Sequence, residues 1–464
     1  MKESQKQTLL PVVLELPADL ETPVSAFMKL QPLGARFLLE SVELGQHIGR
    51  YSFIGIGFWK ELQFPLDTHT DPLEMIEEEL SKFEVAQDPR IPKLLGGAVG
   101  HIGYPYVQHV EASVEQDHPD PLGLPLAHFF LVDTLVLFDH VHQTIYIAAL
   151  DGVPDRPPAS RRVADIQDAM AYTGHPTPNV GDSDPGPFQS DVGKEAFLER
   201  VHVAKEYIAE GDLFQLVLSH RCSGPIGSID PFTIYRSLRR NNPSPYMFFF
   251  DFDHYHIVGS SPEMLVRLEG NRAELRPIAG TRPRNVDPKR DQKLEMDLLS
   301  DPKERAEHLM LVDLARNDLG RVCHAGTIEV APYFSVERYS HVMHIVSGVR
   351  GDLLPECSAF DLFRATFPAG TVSGAPKVRA MKRIEELESS SRGPYAGAIG
   401  YFGLTGEMDM CIAIRSIILK RGNAHLQAGA GIVYDSDPER EWEETHDKME
   451  GLAAAIRLAH QMGS

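Results

Sequence analysis

The chain has 464 residues, of which 42% are hydrophobic and 24% are charged, as in an ordinary soluble globular protein. Its 45 basic and 66 acidic side chains give a formal net charge of −21, and a field of that sign repels phosphate backbones. We therefore expect no nucleic-acid binding. Because the chain has neither a signal-peptide pattern nor an apolar run of about 18 residues, we also expect no membrane span and a cytoplasmic location.

The first 150 residues are rich in predicted strands. Runs of β-branched and aromatic residues, separated by Gly and Pro, predict strands over 9–16, 37–42, 51–58 and 129–150. The spacing of apolar residues predicts one helix over 72–83. We assign residues 1–150 to an N-terminal part.

The composition changes after this part. Residues 151–192 are dominated by Pro, Gly, Asp and Ser, which indicates a linker or mobile segment with a short helix inside it. Residues 193–464 open with a helix that ends at Gly211 and close with a helix over 437–462. Strands and helices mix between them without strict alternation, so the predicted fold class is α+β.

Two weaker patterns are open to misinterpretation. The glycine-rich stretches 96–104, 370–377 and 428–435 lack the spacing of a phosphate loop, and we interpret them as places of close backbone approach. On a helix, His341 and His344 could both face a metal. A buried strand is as plausible, however, and there residues at this spacing would face opposite sides. We favour one of the two as a site histidine.

Two acidic pairs lie at helical spacing. Glu304 and Glu307 share one face of a helix over 301–320, and Glu441 and Glu444 repeat the arrangement in the last helix. Four converging carboxylates could bind Mg²⁺, which prefers oxygen ligands. Charged helical faces are usually solvated, however, so the spacing alone favours solvated faces over a metal site.

Longer motifs decide between them. The chain resembles the chorismate-utilising enzymes, and within that family the anthranilate synthase branch, in GDLFQLVLSHR, NPSPYMFFFDF, GSSPEMLVR, RPIAGTRPR, ERAEHLMLVDLARNDLGR, RYSHVMHIVSGV, FPAGTVSGAPKVRAM, RGPYAGAIGYFG, MDMCIAIRS and LQAGAGIVYDSDPEREWEET. FLLESVELGQHIGRYSFIG and LLGGAVGHIGY match the same branch nearer the N-terminus. The resemblance implies a sandwich of two β-sheets flanked by helices, with the N-terminal part interleaved with the catalytic part.

The resemblance also assigns roles. Glu263 resembles the acid that protonates the departing C4 hydroxyl of chorismate, and Arg415 the residue that grips the enolpyruvyl carboxylate. Glu307 and Glu444 resemble Mg²⁺ ligands with Glu304 and Glu441 beside them, and the ion would hold the ring carboxylate. The other implied site residues are His344 and Thr371 near the reacting ring and, around the substrate, Gln215, Ala279, Gly280, Thr281, Tyr395, Gly429, Ala430, Gly431 and Lys448, with Lys377 a further candidate.

Two positions discriminate within the family. Isochorismate and salicylate synthases carry a water-activating lysine where this chain has Gln215, which points to ammonia as the nucleophile. Some aminodeoxychorismate synthases carry a nucleophilic lysine where this chain has Ala279, although others have alanine. The implied reaction is that of a magnesium-dependent lyase, from chorismate and ammonia to anthranilate and pyruvate. The alternative is aminodeoxychorismate synthase of the folate branch, which retains the pyruvyl group.

A partner and an effector follow from the resemblance. None of the four cysteines lies in a glutaminase elbow, so a separate glutamine amidotransferase subunit is implied as the ammonia source. The family's tryptophan pocket maps to Leu39, Glu40, Ser41, Pro245, Tyr246 and Met247. A tryptophan-binding regulatory protein without activity is disfavoured, because the implied acid, carboxylates, histidine and arginine are all present.

Overall fold

The computed structural model describes residues 6–42, 49–86, 88, 90, 94–172, 174, 185–339 and 342–462. Its strands are β1 (Gln7–Pro17), β2 (Phe37–Glu40), β3 (Tyr51–Phe64), β4 (Phe83–Val85), β5 (Gly97–Ile102), β6 (Ala127–Asp139), β7 (Thr144–Asp151), β8 (Gln189–Ser190), β9 (Gln215–Pro225), β10 (Tyr246–Asp251), β11 (His256–Ser261), β12 (Met264–Glu269), β13 (Arg272–Leu275), β14 (Ile278–Pro283), β15 (Glu329–Val330), β16 (Ser335–Arg338), β17 (Val342–Val346), β18 (Val349–Asp352), β19 (Gly374–Ala375), β20 (Ala398–Gly403), β21 (Met408–Ile412), β22 (Ser416–Lys420) and β23 (Asn423–Ile432). Its helices are α1 (Pro23–Leu30), α2 (Pro72–Ser81), α3 (Val107–Val110), α4 (Ala159–Met170), α5 (Lys194–Ala209), α6 (Pro231–Asn241), α7 (Pro288–Ser300), α8 (Pro302–Gly320), α9 (Ala359–Thr366), α10 (Lys377–Leu387) and α11 (Pro438–Gln461).

Hydrogen bonds join twenty strands into one large curled sheet, and β14, β17 and β16 form a separate three-stranded sheet. Strands of the N-terminal part pair directly with strands of the catalytic part: β2 runs antiparallel to β10, and β5 runs antiparallel to β20. The predicted α+β class and the predicted interleaving are therefore confirmed. The two sheet layers expected from the resemblance are continuous with each other through these ladders.

Alternate residues of one strand show how the layers pack. Successive side chains of a strand point to opposite faces. On β10, the Phe249 ring lies 5.4 Å from Phe27 of α1 and 5.1 Å from Phe232 of α6, so this face meets helices. Phe250 instead lies 5.6 Å from Phe37 of β2, inside a core that strands supply. The sheet thus encloses an inner core and carries helices outside.

Both acidic helices begin at an Asp-Pro pair. The Asp301 carboxylate accepts hydrogen bonds from the first backbone N–H groups of α8, and Asp437 does the same for α11. Such caps satisfy N–H groups that have no partner within the helix, and proline fits the first helical position. The caps therefore define which residues lie in the first turns, where the predicted carboxylates begin.

Other predicted elements differ in detail. The run over 129–150 is the β6–β7 hairpin, whose turn places Gln143 at φ 50. The helix inside the predicted linker is α4, whose Val163 and Ile166 are buried in the core. Residues 173 and 175–184 of that linker lie outside the described residues, and the boundaries at 150 and 192 stay predictions. No helix in the described ranges is long and apolar enough to cross a bilayer.

Candidate active site

Two helices and one strand meet at Glu307. The side-chain amide of Gln215, the first residue of β9, donates to a Glu307 carboxylate oxygen across 3.3 Å. Burial raises the pKa of Glu307, and the nearby charges of Glu304 and Glu444 raise it further. Because Glu304 and Glu307 belong to α8 and Glu444 to α11, the structure brings the two acidic pairs into one electrostatic neighbourhood.

The four carboxylates differ in their partners. Burial and the charge of Glu444 raise the pKa of Glu441. Glu304 pairs with Arg282 at 3.1 Å, and Glu444 pairs with Lys448 at 2.6 Å. Among the described residues, no group of three or more His, Cys, Asp or Glu side chains is placed so that it could hold a metal ion as it stands. The carboxylates therefore lie near one another, but a metal would have to draw two of them from their present cations.

Glu263 lies between β11 and β12 with only 9% of its surface exposed. Burial raises the pKa of its carboxyl group to about 8, and the nearby Thr371 hydroxyl and Arg415 guanidinium offset part of that rise. A backbone hydrogen bond from Ile412 N–H to the Glu263 carbonyl, 3.1 Å long, fixes the chain at this point. Glu263 therefore holds a proton at neutral pH, as a general acid must.

Thr371 lies beside this acid in a 3₁₀ turn, Gly370–Val372. Glu263 and Thr371 line a common cavity of about 40 Å³. The Thr371 hydroxyl oxygen is buried and forms no hydrogen bond of normal geometry with a described residue, although it lies close enough to the Glu263 carboxyl to lower its pKa. A buried hydroxyl without a partner is unfavourable, so this group is suited to a ligand that completes it.

Arg415 follows β21 in the left-handed region, at φ 50. Its guanidinium forms no side-chain hydrogen bond or ion pair with any described residue. Burial lowers the pKa of Arg415, whereas Tyr395, Glu444 and Glu263 nearby raise it. A half-buried guanidinium with donors in a planar fork, and with no partner among the described residues, is suited to binding a carboxylate.

His344 of β17 stands opposite Thr281 of β14 in the antiparallel ladder. Its Nδ1 lies 2.9 Å from the Gly280 carbonyl oxygen, which can only accept, so Nδ1 carries the hydrogen and Nε2 is free to take a proton. Burial lowers the pKa of His344, which favours the neutral ring. The bulge at Gly280, with φ +69, presents this carbonyl to the histidine.

Two glycines of β23 leave room for the side chains of Gln215 and Tyr395 in the candidate site. A Cβ at Gly431 would lie 2.5 Å from the Gln215 amide nitrogen, and one at Gly429 would lie 3.0 Å from the Tyr395 hydroxyl oxygen. The Gly429 carbonyl accepts a 2.8 Å hydrogen bond from Lys448. Burial raises the pKa of Tyr395 to about 12, so its hydroxyl stays protonated.

Three predicted residues lie less directly at the site. The Ala430 side chain is buried in an apolar cluster, so this residue has only its backbone to offer a substrate. Ala279 is buried opposite Ile345. The Lys377 amine binds Asp318 at 2.8 Å and the Thr366 carbonyl at 3.2 Å, which makes it a partner within the fold rather than a free cation. His341 lies outside the described residues.

Sequence reasoning missed a buried ion pair behind the site. Arg392 donates to both carboxylate oxygens of Glu388, at 2.9 and 2.6 Å, and to the carbonyls of Val372 and Val217, at 2.7 and 2.8 Å. Glu388 also accepts from the Ser219 N–H and hydroxyl. The pair therefore ties the turn of Thr371 to strand β9. The motif SSRGPYAG contains Arg392, but only the fold reveals its partners.

We expect Arg392→Met to lower the free energy of unfolding by about 3–5 kcal/mol, because it leaves the Glu388 carboxylate buried without its cation. Urea denaturation measures the change. Arg316→Met is the control, since the Arg316 side chain is 56% exposed and pairs with Asp313 at the surface, and its expected change is below about 1 kcal/mol. Equal losses from the two variants would contradict this role of the buried pair.

Residues 34–454 match the family model described as chorismate binding enzyme. The chain belongs to the chorismate-binding enzyme family. It is 46% identical to anthranilate synthase component 1 of Aquifex aeolicus, over 99% of this chain and 97% of that protein. It is 43% identical to the protein of the same name from Acetivibrio thermocellus, over 98% of this chain and 96% of that one.

Solved structures agree with this membership. Anthranilate synthase component I from Streptococcus pneumoniae superposes with a TM-score of 0.79 at 38% identity, covering 89% of this chain and 94% of that chain. The menaquinone-specific isochorismate synthase of Escherichia coli superposes with a TM-score of 0.73 at 21% identity, covering 98% and 96%. The second likeness shows that this chorismate-binding enzyme shares the fold of isochorismate synthases.

A second cavity of this chorismate-binding enzyme, of about 620 Å³, contains all six predicted effector residues in its wall: Leu39, Glu40, Ser41, Pro245, Tyr246 and Met247. One Glu40 oxygen accepts from Tyr235 and, at 2.9 Å, from Arg239. The other Glu40 oxygen is buried and has no partner among the described residues. We name this space the effector cavity; it offers a buried acceptor to a cationic group.

Proposed function

We propose that the chain is the aminating component of anthranilate synthase, which converts chorismate and ammonia to anthranilate and pyruvate. The observation that carries the proposal is near-full-length similarity to proteins of that name, combined with a neutral glutamine, Gln215, beside the carboxylates. An amide cannot serve as the base that activates water, so the site favours a nucleophile that needs no such base. The folate-branch alternative has no observation in its favour.

The residues divide the work between binding and proton transfer. Arg415 holds the enolpyruvyl carboxylate, and Tyr395 and the Gly429–Gly431 backbone line the substrate. Glu263 gives its proton to the C4 hydroxyl, which leaves as water while ammonia forms a bond to C2 and the ring double bonds shift from C1=C2 and C5=C6 to C1=C6 and C4=C5. The new ammonium group then loses one proton to solvent. His344 then takes the proton from C2, the C3–O bond breaks, and the enolpyruvyl group leaves as pyruvate after its methylene carbon gains a proton.

The donor set fits Mg²⁺. Glu307 and Glu441 offer carboxylate oxygens whose raised pKa reflects burial and neighbouring negative charge, and a hard dication relieves both effects. Glu307 and Glu444 would be the direct ligands, with Glu304 and Glu441 beside them. When bound, the ion supplies charge neutralisation and a hold on the ring carboxylate.

We expect Glu444→Gln to raise the Mg²⁺ concentration for half-maximal activity by at least about tenfold, since even outer residues of metal sites have effects of that size. Titration of activity with Mg²⁺ measures the shift. Glu443→Gln is the matched control, because Glu443 is an exposed neighbour on the same helix. A Mg²⁺ curve for Glu444→Gln that coincides with the control curve would remove Glu444 from the proposed site.

Ammonia comes from a separate glutamine amidotransferase subunit in this proposal, and free ammonium replaces that subunit in the test. Loss of chorismate is followed by absorbance with single components omitted. We expect turnover only when chorismate, Mg²⁺ and ammonium are all present, and glutamine to serve only after the partner subunit is added. Consumption of chorismate without any nitrogen source would indicate a water-adding enzyme instead.

The effector cavity is the proposed tryptophan site. The Glu40 oxygen that has no partner among the described residues suits the ammonium group of an amino acid, and aromatic side chains such as Tyr246 and Phe53 suit an indole. Glu40 lies on β2 next to β10, so one ligand there contacts both the N-terminal and the catalytic part.

We expect Glu40→Gln to raise the tryptophan concentration for half-inhibition by about 10- to 150-fold, the effect of about 1.5–3 kcal/mol for a hydrogen bond to a charged group. Inhibition curves at fixed chorismate measure it. Glu74→Gln, on the exposed face of α2, serves as the control. Superimposable curves for the two variants would move the effector to another place on the chain.

A further inference from the structure

The effector cavity and the catalytic residues share walls. Arg276 and Met264 line the effector cavity and also the small cavity that contains Glu263 and Thr371. Ile278, the first residue of β14, lines the effector cavity, and the same strand carries Gly280 towards His344. The two sites are therefore adjacent compartments.

One carboxylate is held from the side of the effector cavity. The Arg276 guanidinium pairs with one oxygen of Glu337, and the Tyr339 hydroxyl donates to the other oxygen at 3.1 Å. Both partners line the effector cavity, whereas Glu337 is not part of its wall. A molecule in that cavity therefore meets the two groups that hold Glu337.

The same carboxylate belongs to a residue next to the catalytic histidine. Glu337 of β16 stands directly opposite His344 of β17, and His344 stands opposite Thr281 of β14. The Tyr339 ring lies 5.6 Å from the His344 ring, nearly edge-on. His344 is thus the middle residue of a three-stranded row, and one end of that row is anchored by Arg276 and Tyr339.

We propose that Glu337 is a positioning residue through which a ligand in the effector cavity acts on His344. An amino acid in the cavity competes for Arg276 and Tyr339, releases Glu337, and lets β16 and His344 shift away from the Gly280 carbonyl. This inference rests on the proposed function and adds the route of its regulation. It differs from direct competition, because the ligand acts from the effector cavity without entering the cavity that contains Glu263 and Thr371.

The test separates binding from inhibition in Glu337→Gln. Calorimetry measures tryptophan binding, and anthranilate formation measures inhibition. We expect the variant to bind tryptophan at least as tightly as the unaltered chain, because the Glu337 charge no longer competes for Arg276 and Tyr339. The inhibition at saturating tryptophan should weaken by at least about fivefold, the lower end of usual coupling between sites. Arg276→Lys keeps the charge beside Glu337 and is expected to retain more of the coupling than Arg276→Met.

Glu295→Gln is the matched control, because Glu295 pairs with Arg338, the next residue of β16, and does not line the cavity. It should bind and be inhibited normally. Full inhibition of Glu337→Gln, or loss of its tryptophan binding, would overturn the proposed route. Failure of the proposed function has a different signature, since it would already appear as absent anthranilate formation or absent tryptophan binding in the unaltered chain.

Should Glu337→Gln fold poorly, Tyr339→Phe removes one of the two hydrogen bonds to the same carboxylate while keeping the ring beside His344. We expect it to weaken inhibition less than Glu337→Gln, and undiminished inhibition with normal tryptophan binding would overturn the proposal.

Discussion

Glu263→Gln is expected to lower kcat by about 10²- to 10⁴-fold, because glutamine has nearly the same shape as protonated glutamate but no proton to give to the leaving hydroxyl. Steady-state rates with saturating chorismate, Mg²⁺ and ammonium measure the loss. Glu356→Gln, at an exposed turn, is the control and should keep its activity. A Glu263→Gln enzyme with nearly normal kcat would assign the proton donation to another group.

The same carboxyl group predicts a pH dependence. Its pKa is raised to about 8 by burial, so the proton is present below that pH and is lost as the pH rises through it. At a fixed concentration of free ammonia, kcat/KM should therefore fall above about pH 8. This decline should be missing from the residual activity of Glu263→Gln, and its persistence there would assign the pH dependence to a different group.

Arg415→Met is expected to lower kcat/KM by about 30-fold to several thousandfold, because removing one partner of a buried charge pair has an effect of about 2–5 kcal/mol. In Arg415→Met, a larger share of the lost kcat/KM should appear as a higher KM than in Glu263→Gln. The reason is that the guanidinium binds a carboxylate present in substrate and transition state alike. Arg415→Lys keeps the charge but not the paired donors, so its kcat/KM should lie between those of the unaltered chain and Arg415→Met.

Arg421→Met is the matched control for this change. Arg421 also adopts φ 50, but it is exposed in the turn between β22 and β23. Replacing Arg421 therefore removes an arginine with the same backbone conformation at a place outside the candidate active site. Equal losses of kcat/KM in Arg415→Met and Arg421→Met would attribute the effect to the backbone rather than to carboxylate binding.

Local patterns predicted the elements of this fold well, because caps and periodicity act within a few residues. Asp301 and Asp437 begin their helices as their Asp-Pro pairs indicate, and the acidic residues keep their helical spacing. The strand-rich run over 129–150 consists of two strands joined by a hairpin turn, and the apolar residues alone did not locate that turn. The composition of the predicted linker did not indicate that α4 packs into the core.

The candidate site was predictable only as far as the family motifs reach. They pointed to Glu263, Arg415 and His344. They did not reveal that the Arg415 guanidinium has no partner among the described residues, or that His344 donates to the Gly280 carbonyl. Those facts depend on contacts between residues far apart in the chain. Lys377 illustrates the limit: its motif suggested a substrate contact, whereas the fold places Asp318 within 2.8 Å of its amine.

The identity of the product tests most directly whether the chain converts chorismate and ammonia to anthranilate. The purified chain is incubated with chorismate, Mg²⁺ and ¹⁵N-ammonium at alkaline pH, and the product is examined by fluorescence and mass. We expect one ¹⁵N-labelled anthranilate and one pyruvate for each chorismate consumed. A non-fluorescent aminated product that still carries its pyruvyl group would contradict this expectation and move the chain to the folate branch.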